Sequence, residues 1–163
     1  MTALLLVDLQ NDFVTGSLAV PDAAVIVPVI NALLPRYDFV VATQDWHPAD
    51  HGSFASNHPG RQPFEVIDLH GVEQTLWPDH CVQEMPGSKL VAGLDRDGID
   101  EIVRKGTDPR VDSYSGFFDN RRVHATGLHD LLRDRGVTAV HLCGLATDYL
   151  SLIPISEPTR PTT

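Results

Sequence analysis

Two strand-like segments that each end in a carboxylate, the first of them a continuous apolar run, constrain this chain more than any other feature. Residues 3–7 read ALLLV and stop at Asp8; residues 39–45 read FVVATQD and stop at Asp45. A strand with one wet face alternates polar and apolar residues, whereas a continuous run must be covered on both faces, the pattern of a parallel strand buried between helices. EIVRKG at 101–106 and TAVHLCG at 138–144 predict a third and a fourth strand. Between the first two, Ile26, Val29, Ile30, Leu33 and Leu34 recur at helical spacing. Pro28 fits a helix only in its first turn, so the helix is expected to start near residues 25–27. Leu128, Leu131 and Leu132 predict a second helix over 124–135, stopped by Gly136. Strands separated by helical patterns indicate βαβ units and an α/β fold with a parallel sheet.

Residues 46–97 carry no such pattern, and Pro48, Pro59, Pro63, Pro78 and Pro86 break any long element there. A loop of this length in a compact domain is usually functional or disordered. Five of the eight histidines (His47, His51, His58, His70 and His80) lie in this stretch. In Asp45-Trp46-His47, extended backbone points the carboxylate and the imidazole the same way, so both could hold one metal, with His51 or His80 completing the set. Mixed oxygen and nitrogen ligation suits zinc, with manganese and iron as alternatives. Asp68-Leu69-His70 repeats the spacing, so spacing by itself leaves solvated loop histidines as the competing reading.

Asp8 sits at the carboxyl end of a buried strand, where open parallel sheets place their ligands, although it could simply cap the following turn. Lys105 holds the corresponding place on the third strand, either beside a carboxylate in a cleft or snorkelling from a strand end. Cys143 is expected in the core. Cys81, in a loop after His80, is a candidate reactive thiol.

A formal net charge of −10 and a pI near 5.0 argue against nucleic acid, whose phosphates require clustered Lys and Arg. At 163 residues the chain suits one domain. It shows no basic leader and no apolar stretch near the ~20 residues of a membrane span, so a cytoplasmic protein with reduced thiols is expected. The tail SLIPISEPTRPTT, with Pro154, Pro158 and Pro161, has no helical period.

The segments VDLQNDF (7–13), ATQDWHPADHGSFASNH (42–58), WPDHCV (77–82), VRKGTDPRVDSYSGFFDN (103–120) and GLATDY (144–149) resemble the nicotinamidase/pyrazinamidases of the isochorismatase-like cysteine hydrolases. The resemblance implies a doubly wound three-layer α/β/α fold, a strand order of third, second, first, fourth, and hydrolysis of nicotinamide or a pyrazinamide-like amide to the acid and ammonia. It matches Asp8 to the acid that takes the thiol proton and Lys105 to its supporting lysine. It matches Asp45, His47 and His80 to the metal ligands, with His51 a fourth in some members, and zinc as the expected metal. Phe13, Trp77, Tyr114 and Leu145 correspond to the substrate-lining residues, and Ala146 to the oxyanion hole, after a cis peptide between Leu145 and Ala146. The nucleophilic cysteine of the family follows the segment matching ATDY, and Leu150 stands there instead. From that residue onward the resemblance stops. The expected division is therefore an amidase domain over 1–149, lacking the family's C-terminal strands and helices, and an unrelated tail over 150–163 that resembles translated sequencing-adapter sequence. Turnover is not expected of such a chain; a metal- and nicotinamide-binding protein without catalysis and another isochorismatase-like amidase are the alternatives.

Overall fold

The computed structural model of the chain describes residues 1–145. Its main sheet has four parallel strands: β1 (Thr2–Val7), β2 (Phe39–Asp45), β5 (Glu101–Lys105) and β6 (Ala139–Gly144), ordered β5-β2-β1-β6. That is the expected order. Successive side chains of β1 point to opposite faces. Leu4 and Leu6 pack in one apolar cluster with Val27 and Ile30 of α2 (Ile26–Leu33); Ala3, Leu5 and Val7 pack in another with Leu128 and Leu132 of α3 (Leu128–Asp134). Helices thus cover both faces, and the three-layer, doubly wound architecture is borne out. Among the described residues no helix is long and apolar enough to cross a membrane.

Three local expectations change. The second helix is shorter than 124–135, because Gly127 adopts φ 92° and Thr126 Oγ1 accepts the Leu128 N–H at 3.2 Å, so the chain turns into the helix only there. The loop-rich stretch contains an antiparallel hairpin, β3 (Val66–Leu69) and β4 (Val72–Thr75). Its turn is built by His70 and Gly71 at φ 53° and 87°, with the Asp68 carboxylate accepting the Gly71 N–H at 2.8 Å. The repeated Asp-x-His spacing is therefore turn chemistry, and His70 is exposed. Cys143 is half-buried and packs against the rim of the Leu4 and Leu6 cluster, less enclosed than the core residue expected.

Candidate functional site

Parallel pairing brings the carboxyl ends of β1, β2 and β5 together, and Asp45 lies directly opposite Lys105 in the register. Lys105 Nζ donates to Asp45 Oδ1 at 2.5 Å and to the Ser113 carbonyl at 3.0 Å, and lies 3.1 Å from Asp8 Oδ2. All three charged side chains are buried. Burial alone would neutralise Lys105, yet Asp45 and Asp8 raise its pKa above the ordinary lysine value. Burial likewise opposes ionisation of Asp45, but Lys105 and then His47 hold its carboxyl well below the usual range. Asp8 goes the other way. Burial raises its pKa, Lys105 only partly counters this, and Asp45 adds repulsion.

Asp8 leaves its strand at φ 51°, outside β geometry. Thr43 fixes it from β2: the hydroxyl accepts the Asp8 N–H at 3.2 Å and donates to Asp8 Oδ1 at 2.6 Å. Asp8 Oδ2 is buried and, although at ion-pair distance from Lys105, makes no aligned hydrogen bond. Gln10 clamps the next strand end. Its Oε1 accepts the Asp45 N–H and its Nε2 donates to the Asp45 carbonyl, both at 2.8 Å, extending β1 with a side-chain amide.

Beyond β2 the chain meets the segment after His80. His47 N–H donates to the Cys81 carbonyl and Gln83 N–H to the His47 carbonyl, a short bridge that sets the His80 ring 4.9 Å from that of His47. The His51 ring lies 4.4 Å from His47 on centroids, and Phe54, completely buried, stands edge-on to His47 at 5.5 Å. His47 Nδ1–H donates to the Gly106 carbonyl at 2.8 Å and His80 Nδ1–H to the Pro78 carbonyl at 2.8 Å. Gly106 is required at φ 63°, since a Cβ would fall 2.3 Å from the His47 ring.

Ligand atoms of Asp45, His47 and His80 lie within 4.8 Å of one another, as do those of His47, His51 and Asp112. The buried Nε2 atoms of His47 and His51 have no hydrogen-bond partner. The orphaned His47 Nε2 beside the buried Asp45 carboxylate, with the opposite nitrogens of His47 and His80 tied to carbonyls, makes Asp45, His47 and His80 a donor set that fits a divalent cation. Burial would lower the His47 pKa, but Asp45 at 3.8 Å from Nε2 raises it; burial and the neighbouring His47 lower His80, and bring His51 down to about 4.

The ring-lining candidates fall into two groups. Phe13 is buried 5.7 Å from the His80 ring, within the same apolar cluster as Leu145. Trp77 is half-buried and donates from Nε1 to the Tyr114 hydroxyl at 3.1 Å. Ala146, Leu150 and the Leu145-Ala146 peptide lie outside the described residues. Cys81 is not the reactive thiol the loop position allowed. It is completely buried, and burial together with Asp45 pushes its pKa far above the ordinary thiol value. Sequence reading also passed over Gln10, Thr43, Phe54, Gln74 and Asp112. Gln10, Thr43, Phe54 and Asp112 lie inside the quoted segments as motif members without an assigned contact, and Gln74 lies outside them.

The isochorismatase domain model matches residues 2–149. The nicotinamidase of Escherichia coli (strain K12) is 51% identical over 152 residues, with 90% of this chain and 71% of that protein covered. A solved nicotinamidase/pyrazinamidase of Acinetobacter baumanii superposes with a TM-score of 0.88 at 45% identity, covering 91% of this chain and 72% of that one. A pyrazinamidase of Pyrococcus horikoshii solved in complex with zinc gives 0.70 at 36% identity, with 91% and 72% covered.

Proposed function

This chain belongs to the isochorismatase-domain family, on its nicotinamidase branch, and from that premise we propose that its site is built to hydrolyse nicotinamide to nicotinate and ammonia. The observation that carries the reading is Asp8. One carboxylate oxygen is committed to Thr43, while the other is buried, beside Lys105 and free to accept a proton. In the family's thiol chemistry the acid takes the S–H proton, sulfur attacks the carboxamide carbon, and the C–N bond breaks as ammonia leaves with a proton. Water then cleaves the thioester to the acid. The raised pKa of Asp8 suits a group that must receive that proton, and Lys105 keeps the pair of carboxylates in one place. The amide of Ala146 is assigned to the developing oxyanion.

Asp45, His47 and His80 are assigned as the residues that hold the cation, with zinc favoured over manganese or iron because a zinc-bound relative shares the fold. Such a cation supplies a Lewis-acidic seat for a pyridine nitrogen. Phe13, Trp77, Tyr114 and Leu145 are assigned to the flat ring. The acidic chain, with both thiols free, is assigned to the cytoplasm and to a small-molecule substrate, without nucleic acid as partner.

The nucleophile position in this sequence is Leu150, a hydrocarbon. The 163-residue polypeptide is accordingly expected to release no ammonia from nicotinamide in a purified assay. Nicotinamide-dependent ammonia that disappears in Asp8→Ala would overturn that inertness and establish another nucleophile. Heat of nicotinamide binding to the zinc-loaded protein, without ammonia, favours the reading as a ring-binding module; the orphaned His47 Nε2 beside Asp45 is the observation behind it.

A further inference from the structure

The segment that carries His80 turns on one strained residue. Cys81 stands at φ 47°, a left-handed conformation that a residue with a Cβ keeps only where its surroundings hold it there. Both sides of the residue are gripped. The Cys81 carbonyl accepts the His47 N–H at 3.0 Å, and the Cys81 N–H donates to Asp12 Oδ2 at 2.7 Å. The first is an ordinary amide bond, whereas the second ends on a carboxylate, and bonds to a charged acceptor are roughly twice as strong.

Asp12 is itself confined. It belongs to α1 (Asn11–Val14), the single turn that follows β1, anchored by Asn11, whose N–H donates to the Lys89 carbonyl at 3.0 Å and whose Nδ2 donates to the Pro86 carbonyl at 2.8 Å. Two glycines close on the carboxylate. A Cβ on Gly16 would fall 2.1 Å from Oδ1, and one on Gly87 would fall 2.0 Å from Oδ2. The next residue of α1 is Phe13, whose ring lies 5.7 Å from that of His80. One short turn therefore carries both the ring that packs on His80 and the tether on the residue after it.

We propose that Asp12 is a positioning residue, which through the Cys81 N–H sets the backbone that aims His80 and keeps this imidazole in register with Phe13. Relaxation of φ at Cys81 rotates the peptide plane that joins it to His80, and the imidazole turns with it. An asparagine at position 12 keeps an oxygen for the amide and preserves the aim; a side chain of the same shape without an acceptor does not. The inference rests on the assignment of His80 and Phe13 to the site, and the experiment separates the two.

The full chain, with its histidines labelled with 13C and 15N, is examined metal-free by NMR, and its zinc dissociation constant is read by competition with a chromophoric chelator. Unmodified protein, Asp12→Leu and Asp12→Asn are compared. Asp12→Leu is expected to move the His80 ring signals toward those of exposed His70 and to weaken zinc binding by about 10–100-fold, the loss typical of a group that orients a ligand. Asp12→Asn is expected to return both toward the unmodified values. His80 signals and zinc affinity that stay unchanged in folded Asp12→Leu, even with an earlier melt, overturn the proposal, and so does Asp12→Asn behaving like Asp12→Leu. If Asp12→Leu does not fold, Gly87→Ala takes its place, because the added Cβ displaces Oδ2 from Cys81; His80 signals that move support the proposal and unmoved ones overturn it. An unmodified protein that takes up no zinc overturns the cation reading, and the metal-free His80 signals still decide the positioning role by themselves.

Discussion

Two clusters meet at the end of β2 and solve the problem of buried polarity differently. In the first, Lys105 joins Asp8 and Asp45, and opposite charges within the protein satisfy one another. In the second, His47, His51 and His80 crowd together, and two of the three present a buried nitrogen with no protein partner. The first cluster balances its charge within the protein and leaves only Asp8 Oδ2 without a hydrogen bond. The second leaves its nitrogens to a partner from outside the chain, so loss of Lys105 should cost more stability than loss of a histidine.

Removing the cation of the first cluster tests that division most severely. Lys105→Met leaves two buried carboxylates unpaired and is expected to destabilise the protein by about 3–5 kcal/mol in denaturant unfolding. A loss below about 1 kcal/mol would show that the lysine is not what holds the strand ends together.

The histidine cluster should respond to acid. The folded pKa of His51 is brought down to about 4, against the ordinary 6.5, by burial and by His47. Between those values the unfolded chain binds the proton and the folded one does not, so this contribution to stability is present above pH 6.5 and lost as the pH falls toward 4. His47 and Asp8, both raised, work in the opposite direction, so the test is a difference. Unfolding free energies of the unmodified protein and His51→Gln are expected to diverge by about 1–3 kcal/mol across that window, the unmodified protein falling more steeply. Parallel curves would mean that His51 is protonated equally well in both states.

The smallest effect serves as the control. Arg61 and Glu65 form an exposed pair at 3.2 Å, and Arg61→Ala is expected to change stability by less than about 0.5 kcal/mol. A larger loss would show that surface pairs in this protein carry weight that the buried Lys105 cluster has been given.

The acids at the strand ends and Lys105 were legible because a continuous apolar run fixes where a buried strand stops, and parallel pairing fixes which ends adjoin. Asp45, His47 and His80 were legible as ligand types, and the structure brings them together. The hairpin Val66–Leu69 and Val72–Thr75 was not, since four residues are too few for alternation to stand out and its Asp68 and His70 looked like ligands. Asp112 was not legible either. Its carboxylate becomes notable only once Gln74, 38 residues away, and His51 close around it.

What the sequence determined by itself was local: four strands, the helices that cover them, the carboxylates at the strand ends and the residue types able to bind a metal. These follow from periodicity and from side-chain chemistry, which operate over a few neighbouring positions. Tertiary structure alone decided which ring nitrogens are tied up, because Gly106, Pro78 and Ser53 hold the Nδ1 atoms of His47, His80 and His51 through hydrogen bonds that exist only after the loops have closed. A tautomer is set by the partner on the opposite ring nitrogen, and that partner is a matter of geometry.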